Sequence, residues 1–366
     1  GNYFTSNVIG DTFVNSIIEN GVNHLTIADD CHNITIGNGS SHIELGDSSG
    51  GVNNIDIGQG CGGEGKAIVI GGGSMDISIK EGSYNIVIGA NSGGLNFNTE
   101  CYNITIGVGS WYLDFGAGCH ALNIGDDCYD MYFAASITSI TIGDLCERIR
   151  FDCIVNNITI ANNSTNITIG NGSSYIELGD SSGGVTNIDI GQGCGGGEGK
   201  AIVIGGGSYA IKIGDACHTL QFGNGVNDVR LEADCFDIIL EAGVSGVICE
   251  SYCHNITINV HGGGAYFNTN CSDIVIGDSS WANIFGVQCS KLILPENSIN
   301  NIFANYVRLP EGAIKDFTDS LVNQITDGSH ITHRMCGTKI VGTYLEEQSD
   351  GSFVEVHAEN IIGVSV

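Results

Sequence analysis

The most reactive side chains in this sequence belong to its 15 cysteines. Thiols can form disulfides, bind soft metal ions or act as nucleophiles, and each role needs its own spacing. Twelve of them occupy one position of a nine-residue repeat that otherwise holds mostly Ser or Val, so we interpret them as reduced packing groups. Disulfides between repeats and metal ligation are the alternatives. The twelve are Cys31, Cys61, Cys101, Cys119, Cys128, Cys146, Cys194, Cys217, Cys235, Cys253, Cys271 and Cys289.

Carboxylates offer a second kind of chemistry. Two acids on one face can hydrolyse a glycosidic bond, and outward positions of the repeat supply candidates: Glu44, Asp56, Asp114, Glu177 and Asp189. Other acids follow the position at which the repeat usually has glycine, as in the calcium-binding β-roll nonapeptide, although the paired Gly and obligate Asp of that motif are missing. These are Asp29, Asp47, Asp126, Asp144 and Asp215. Acids scattered over a solvated face explain the first set, and the incomplete motif disfavours calcium at the second, so we predict neither catalysis nor calcium binding.

Three smaller features complete the search for a site. His330, His333 and Cys336 have metal-ligand side chains, but residues three apart on a strand face opposite ways. The glycine-rich stretch 60–66 lacks the GxxxxGK[ST] spacing of a phosphate loop. Trp111 and Trp281 each precede a Phe-Gly pair by four residues, and each could stack on a sugar ring or plug a corner. The sequence thus predicts no catalytic residue, cofactor or metal, and two candidate glycan contacts.

The element that must position these residues is the repeat I-x-I-G-x-x-C-x-N, whose positions we letter a to i from the first isoleucine. It runs from Leu25 to Leu292 with short insertions. Apolar residues at a and c around an outward b are the period-two signature of a short strand. We expect Gly at d and Asn or Asp at i to supply the turn conformations. Such strands cannot bury their apolar faces alone, so successive units must stack into a β-solenoid.

A recurrence at every second repeat sets the number of strands in each coil. Position c holds Phe97, Phe115, Phe133 and Phe151, and position g holds Cys217, Cys235, Cys253, Cys271 and Cys289. Alternate units must therefore stack on the same side, which predicts a flattened coil of two strands. A three-sided coil would instead show its recurrence at every third repeat. An intertwined trimeric β-helix is the alternative.

The predicted fold class is all-β, a nonapeptide β-solenoid with a small C-terminal α+β cap domain. We expect an N-terminal cap or attachment segment at 1–24, the solenoid at 25–294 and a terminal domain at 295–366. Residues 311–325 carry apolar side chains at helical spacing, which predicts a short helix. Alternating residues at 339–344 and 352–357 predict two strands after it.

Composition limits the partners of the chain. It has 12 Lys and Arg against 41 Asp and Glu, a formal net charge of −29, which disfavours nucleic acid and anionic membrane surfaces. No apolar run approaches the ~18 residues of a membrane span. We therefore expect no nucleic-acid binding and no membrane insertion. The abundance of thiols favours assembly in a reducing cytosol.

The tandem NITIG-x-x-C/S units, with Cys or Ser in the corner, resemble the repetitive appendage proteins of tailed bacteriophages, including tail fibres and tailspikes of gut-phage type. The resemblance covers residues 25–294. It implies a rigid, often trimeric rod at the virion surface, bound to other virion proteins, that recognises a host glycan or protein receptor. It carries over no catalytic residue. We expect a non-enzymatic structural or adhesive rod, with a tailspike-like glycan depolymerase and a bacterial surface adhesin as alternatives.

Overall fold

The computed structural model describes residues 5–10, 13–46, 51–63, 68–152, 154–180, 183–195, 202–286, 288–293, 302–303, 321–322, 333–336, 339–347 and 353–357. The chain divides into two compact units, Gly1–Leu178 (unit 1) and Gly179–Val366 (unit 2). Every regular element in the described ranges is a β-strand, and these ranges contain no helix that could cross a membrane. The domain boundaries expected at 24/25 and 294/295 stay predictions.

Unit 1 contains nineteen strands that alternate between two parallel sheets. Odd-numbered strands form sheet A and even-numbered strands form sheet B, each pairing with the strand two along the chain. The strands are β1 (Thr5–Ile9), β2 (Val14–Ile18), β3 (Asn23–Ile27), β4 (His32–Ile36), β5 (Ser41–Leu45), β6 (Asn53–Ile57), β7 (Ile68–Ile70), β8 (Met75–Ile79), β9 (Tyr84–Ile88), β10 (Gly93–Phe97), β11 (Tyr102–Ile106), β12 (Trp111–Phe115), β13 (His120–Ile124), β14 (Tyr129–Phe133), β15 (Ile137–Ile142), β16 (Glu147–Phe151), β17 (Val155–Ile160), β18 (Thr165–Ile169) and β19 (Ser174–Leu178).

Unit 2 repeats this architecture and then departs from it. Its sheet A holds the odd strands β21 to β31, and its sheet B holds the even strands β20 to β32. The strands are β20 (Thr186–Ile190), β21 (Ile202–Ile204), β22 (Tyr209–Ile213), β23 (His218–Phe222), β24 (Asn227–Leu231), β25 (Phe236–Leu240), β26 (Ser245–Cys249), β27 (His254–Ile258), β28 (Tyr266–Phe267), β29 (Ser272–Ile276), β30 (Ile284–Phe285), β31 (Ser290–Ile293), β32 (Ile302–Phe303), β33 (Leu321–Val322), β34 (His333–Cys336), β35 (Lys339–Glu347) and β36 (Phe353–His357).

The coil of two strands, predicted from the recurrence at every second repeat, is confirmed. Phe97 on β10 pairs with Phe115 on β12, and Ile104 on β11 pairs with Leu122 on β13, so strands stack without any shift in register. Side chains at a and c point inward and are buried, whereas b faces solvent. The core therefore lies between the sheets, and the Phe ladder from Phe97 to Phe151 stacks there with ring centroids 4.4–4.9 Å apart.

The turn chemistry is partly as expected. Position i has the left-handed conformation, for example φ 53° at Asn103, which favours the frequent Asn and Asp there. Position f has it too, for example φ 70° at Gly109. The expectation that Gly at d supplies a turn conformation is wrong for most coils. A Cβ on Gly107 would lie 2.5 Å from the backbone nitrogen of Ala90, so Gly stands at d in this coil because the neighbouring coil approaches too closely for a side chain.

The coil pattern starts before residue 25. Strands β1 and β2 pair in register with β3 and β4, two repeats further along the chain. Their a positions hold Asn7 and Ser16 instead of apolar residues, which hides the repeat in the sequence. Apolar side chains stand at outward b instead, with Val8 78% and Ile17 84% exposed.

The C-terminal region is described only in part. The two predicted strands are confirmed as β35 and β36, which pair antiparallel. The predicted helix at 311–325 is wrong at Leu321–Val322, which form strand β33 beside β32. Adjacent apolar residues can pair in a β-sheet as readily as they can form one face of a helix, so their spacing alone could not distinguish a strand from a helix. The rest of that segment lies outside the described residues, as does His330.

Candidate functional site

The most chemically diverse surface in the described residues lies on sheet B of unit 1, where β12, β14 and β16 are neighbours. Their in-register pairing aligns outward side chains into three columns, at positions h, i and b. With Asp152, which follows β16, these side chains form a surface that we call the aromatic patch. It consists of Trp111, Tyr129 and Glu147 at h, Tyr112, Asp130 and Arg148 at i, and Asp114, Tyr132 and Arg150 at b.

The inward residues of these strands force the patch outward. Leu113 and Phe115 are buried at a and c of β12, so Tyr112 and Asp114, which alternate with them, face solvent, while Trp111 at the start of the strand is partly exposed. The Trp111 ring stacks on Tyr129 with centroids 6.2 Å apart. On its other side it leans over Gly93, where a Cβ would lie 2.3 Å from Cε2 of Trp111. The missing side chain at Gly93 therefore makes room for the indole.

An ion-pair network holds the first arginine. The Arg148 guanidinium donates to both carboxylate oxygens of Asp130, with Nη2 3.2 Å from Oδ2, and Nη1 is 3.1 Å from Oε2 of Glu147. Its Cζ lies 5.3 Å from the ring centroid of Tyr129. The hydrogen bond to Asp130 raises the pKa of Arg148 above its usual range. Neighbouring side chains thus hold the Arg148 guanidinium in place and balance its charge.

The second arginine is held in the same way. Arg150 Nε is 2.7 Å from Oδ1 of Asp152, and its Cζ lies 6.0 Å from the ring centroid of Tyr132. The Tyr132 hydroxyl donates to Oδ2 of Asp152. This bond and then the Arg150 bond lower the pKa of Asp152, whereas partial burial raises the pKa of Asp114. Tyr132 and Arg150 therefore share one carboxylate.

Such a surface offers stacking area and hydrogen-bonding groups to a ligand. Tyr112 is 62% exposed and Tyr132 is 37% exposed, so both offer aromatic area to a ligand. Aromatic rings pack against the C–H faces of a sugar, and guanidinium and carboxylate groups can bond its hydroxyls. No cluster of three His, Cys, Asp or Glu side chains in the described ranges could hold a metal ion. The chemistry of the patch therefore fits recognition of a polyhydroxylated ligand.

Of the two predicted tryptophan contacts, only Trp111 lies in this patch. Trp281 is in unit 2 and is half exposed. Its ring covers Gly263 as the Trp111 ring covers Gly93. Each tryptophan thus stands on a glycine of the preceding coil of its own unit.

The surroundings of the second tryptophan are different. The outward column at position b of sheet B there holds Arg230, Ile248 and Tyr266. Arg230 stands on β24, three coils before the strand that follows Trp281, and it is ion-paired with Glu232 and Glu250. Unit 2 therefore has a tryptophan and an arginine on this face but does not bring them together.

The predicted cysteine column occupies the corners of the coil. All twelve predicted thiols, and Cys249 at position c, are buried and none is in a disulfide. Most donate a hydrogen bond to a carbonyl of the preceding coil: Sγ–O is 3.2 Å from Cys119 to Asn98 and 3.3 Å from Cys235 to Gly214. The thiols therefore do more than fill space, which refines their interpretation as small apolar groups.

Six of these thiols form one continuous ladder in unit 2. The hydrogen bond with Cys194 lowers the pKa of Cys217, but the bond with Cys235 and burial outweigh it and raise that pKa to about 12. A similar balance raises the pKa values of Cys235, Cys253 and Cys271 to about 12. These four thiols are therefore uncharged at neutral pH, which makes them poor nucleophiles. At the end of the ladder the hydrogen bond with Cys271 instead lowers the pKa of Cys289.

The acids considered for hydrolysis do not converge. Glu44 on β5 and Glu177 on β19 are seven strand steps apart in sheet A, about 34 Å at ~4.8 Å per step. Asp56 pairs with Lys80 at 3.0 Å, and in unit 2 Asp189 lies 4.0 Å from Lys212. Of this set only Asp114 belongs to the aromatic patch.

The acids considered for calcium bind the backbone instead. Oδ1 of Asp126 accepts the N–H of Asp144 at 2.9 Å, and Oδ1 of Asp144 accepts the N–H of Asn162 at 2.8 Å. In unit 2, Asp215 accepts the N–H of Ala233 at 3.0 Å. These carboxylates tie successive coils together at position e. Asp47 lies outside the described residues.

Most of the aromatic patch was missed by sequence reasoning. Tyr112, Tyr129, Tyr132, Arg148 and Arg150 look scattered when the chain is examined one repeat at a time. Once a coil of two repeats is accepted, the series 111/129/147, 112/130/148 and 114/132/150 become neighbours. Reading the outward positions of every second repeat is the signal that could have found them.

The sequence matches no protein-family model and no curated protein. Among solved structures it is similar to tailspike protein 3 of bacteriophage CBA120, with 12% identity and a TM-score of 0.19 over 98% of this chain and 61% of the tailspike chain. The chain thus spans about three fifths of that protein's length. It is also similar to the A-module of mannuronan C-5 epimerase AlgE4 of Azotobacter vinelandii, with 12% identity and a TM-score of 0.12 over 86% and 79%. Neither TM-score is high enough to support an argument about function.

Proposed function

We propose that this protein is a non-enzymatic structural and adhesive β-solenoid of the phage-appendage type, which attaches to a glycan on the host surface. The observation that carries the proposal is the aromatic patch. It places four aromatic side chains, two arginines and three acids on three adjacent strands of one face, with a fourth acid, Asp152, directly after the last strand. Functional groups of these types, on a regular sheet face, are what a long polymer with repeated hydroxyls requires.

The solenoid supports the proposal because it holds these groups in place before the ligand arrives. Strands β12, β14 and β16 are each paired on both sides within sheet B, so their backbone cannot shift independently. Arg148 and Arg150 are each fixed by a carboxylate and by an aromatic ring. Pre-ordered side chains lose less conformational entropy on binding, which favours affinity.

Binding to immobilised bacterial polysaccharides tests the proposal. The panel should contain capsular polysaccharides, lipopolysaccharide O-antigens and teichoic acids. We expect the wild-type protein to bind at least one of them and the double variant Trp111→Ala/Tyr112→Ala to bind about tenfold or more weakly, since buried or stacked aromatic contacts dominate such interfaces.

Tyr175→Ala is the matched control for this experiment. Tyr175 is 48% exposed and, like Tyr112, has position i and a positive φ, but it lies on β19 of sheet A. It should bind like the wild type. Equal losses in both variants, or no binding to any polysaccharide, would contradict the proposal.

Glycan depolymerisation is a second candidate function, favoured by Asp114. This carboxyl lies in the patch, beside Tyr132 in register, and partial burial raises its pKa as general acids require. The enzyme hypothesis predicts new reducing ends when a bound polysaccharide is incubated with the protein, and their loss in Asp114→Asn. We expect no release of reducing ends from any polysaccharide that the protein binds.

The appendage proposal also concerns assembly. A virion fibre of this type would be a homotrimer that docks onto other virion proteins and lies at the virion surface after folding in a reducing cytosol. Light scattering of the intact chain should then give about three times the 38.2 kDa of one chain. A monomeric mass would favour a bacterial surface adhesin of the same architecture.

A further inference from the structure

We infer, on the basis of the proposed function, that the aromatic patch selects neutral polysaccharides and rejects acidic ones. The inference concerns the charge that the patch presents to a ligand. Two arginines on a sheet face would ordinarily suggest an anionic ligand, because a guanidinium binds carboxylates, sulfates and phosphates bidentately. The surroundings of both arginines lead to the opposite conclusion.

Arg148 has no uncompensated charge to offer. Its guanidinium bonds both oxygens of Asp130 and also contacts Glu147 at 3.1 Å. Two carboxylates therefore face a single guanidinium. An anionic sugar that bound the Nε and Nη2 edge of Arg148 would have to displace Asp130, which would leave that carboxylate without its partner.

Arg150 is neutralised by a different arrangement. Its Nε is bonded to Asp152, which also accepts the Tyr132 hydroxyl. The guanidinium lies against the Tyr132 ring, so one of its faces is covered. Asp114 stands in the same outward column, with Tyr132 between it and Arg150.

The sum of these charges is negative. Asp114, Asp130, Glu147 and Asp152 carry four formal negative charges, whereas Arg148 and Arg150 carry two positive ones. The formal net charge of the whole chain is −29, so the surrounding field adds to the repulsion. A uronate, sulfate or phosphate group would therefore meet repulsion at the patch, while a neutral sugar would not.

A neutral chain can still use every group in the patch. The rings of Trp111, Tyr112 and Tyr132 provide stacking area for the apolar faces of a pyranose. An ion-paired guanidinium retains donors and an ion-paired carboxylate retains lone pairs, so both can bond sugar hydroxyls without breaking the pair. Such contacts change little with ionic strength, because no net charge is neutralised on binding.

Paired polysaccharides provide the first test. Wild-type protein would be measured on immobilised neutral polymers (dextran, mannan, galactan and the neutral O-antigens of the panel above) and on acidic ones (dextran sulfate, alginate and teichoic acid). We expect binding to be confined to neutral members and to change less than about twofold between about 50 mM and 500 mM NaCl. Binding confined to acidic members, or a tenfold loss in high salt, would overturn the inference.

A double variant provides the second test. Asp130→Asn with Glu147→Gln releases Arg148 while keeping side-chain size, and Asn suits the left-handed φ of 56° at position 130. We expect about a fivefold or greater gain in binding to acidic polymers at low salt, lost at high salt. The control Asp228→Asn with Glu44→Gln removes the same formal charge elsewhere and should show no gain. A gain equal in both double variants, or in neither, would contradict the role of the paired arginine.

The two hypotheses fail in different ways. If no polysaccharide is bound, the proposed function is wrong, and this inference falls with it. If an acidic polysaccharide is bound and the Trp111→Ala/Tyr112→Ala variant loses that binding, the patch is a glycan site but the inferred class is wrong.

Discussion

The corners that lead from sheet B to sheet A differ between the two units. In unit 2 all six described corners of this kind carry Cys at position g, from Cys194 to Cys289. In unit 1 the same column is mixed, with Val22, Ser40, Cys61, Ser83, Cys101, Cys119, Ile137, Val155 and Ser173. The fold therefore tolerates several small side chains here, and unit 2 uses one of them throughout.

Two of the serines in this position donate to a different carbonyl from the cysteines, whereas Ser83 donates to Gly58 of the preceding coil at 3.3 Å, as a cysteine would. Ser40 donates to Gly37 at 2.8 Å and Ser173 to Gly170 at 2.9 Å, so each closes its own turn. Cys253 instead donates to Glu232 at 3.3 Å, in the preceding coil. Both residue types link neighbouring coils, because Ser40 and Ser173 also accept the backbone N–H of Val22 and Val155 at 3.2 and 3.1 Å. The difference is that the cysteine donates to the preceding coil, whereas these two serines donate within their own turn.

In the core, unit 1 has the more regular ladder of side chains, whereas at the corners unit 2 has it. Unit 1 has the four-ring ladder from Phe97 to Phe151 at position c of sheet B, whereas unit 2 has the described pair Phe267 and Phe285 there. Unit 1 thus concentrates its largest buried side chains in adjacent coils. The two tryptophans of the chain, Trp111 in unit 1 and Trp281 in unit 2, allow the units to be followed separately in Trp281→Phe and Trp111→Phe variants.

The largest difference between the units should appear at alkaline pH. Cys217, Cys235, Cys253 and Cys271 have pKa values of about 12 in the folded protein, above the ~8.5 of an unfolded thiol. The stability that they contribute is therefore complete below about pH 8.5 and is lost as pH rises toward about 12. Trp281 fluorescence should show the urea midpoint of unit 2 falling over this interval.

Unit 1 is the internal control for that experiment. There, bonds between paired thiols lower the pKa of Cys101 and Cys128 and raise those of Cys119 and Cys146, so their effects partly cancel, and burial raises the pKa of Cys61. In the unit 2 ladder a single lowered thiol, Cys289, stands against the four raised ones. The midpoint reported by Trp111 should fall less. Replacing the four unit 2 thiols by Ser should flatten the alkaline curve, and an unchanged curve would show that the ladder is not responsible.

A core substitution should have the next largest effect, and in unit 1. Phe133→Ala removes a fully buried ring that stacks on both Phe115 and Phe151. We expect the free energy of unfolding of unit 1, measured with urea and Trp111 fluorescence, to fall by about 3–5 kcal/mol. Phe236→Ala in unit 2 is the control, because that ring stands outward between His218 and His254, and it should cost about 1 kcal/mol. Similar losses in the Phe133→Ala and Phe236→Ala variants would mean that a buried ring of the inner ladder stabilises the protein no more than an outward ring does.

A corner substitution should have a smaller effect, and in unit 2. Cys253→Val keeps the volume but removes the donor to the Glu232 carbonyl, so we expect a loss of about 1 kcal/mol measured with Trp281. Cys253→Ser retains a donor and should lose less than the Val variant. If the Cys253→Val variant is as stable as the wild-type protein, only side-chain size matters in this column and the hydrogen bonds between coils do not contribute to stability.

The smallest effect is expected for an outward ion pair of unit 2. Lys291 Nζ lies 2.9 Å from Oδ1 of Asp273, and this pair lowers the pKa of Asp273. Because both side chains are largely exposed, Lys291→Gln should change the free energy of unfolding by at most about 0.5 kcal/mol. The difference should vanish as pH falls and Asp273 becomes protonated. A loss above about 1 kcal/mol would show that an outward ion pair contributes as much to the free energy of unfolding as a corner hydrogen bond does.

Much of the fold was predictable from the sequence because its periods are short and regular. Alternation at a and c indicated strands, and the Phe and Cys series at every second repeat indicated two strands per coil. The first coil was missed because Ser16 replaces an apolar residue at position a. Of the aromatic patch, only Trp111 and Asp114 were named from the sequence. Tyr132 and Arg150 were not, because they become neighbours of those residues only through stacking between coils.

The sequence by itself determined the strand period, the coil length and the small size of the corner residues, because each depends on which side chains recur and at what interval. Only the tertiary structure decided why Gly stands at d, which partner Ser or Cys bonds at g, and that the arginines of the patch are already paired. These outcomes depend on distances of a few ångströms between backbones and side chains of different coils. A list of residues contains no such distances, so the chemistry of the face followed from how the coils stack.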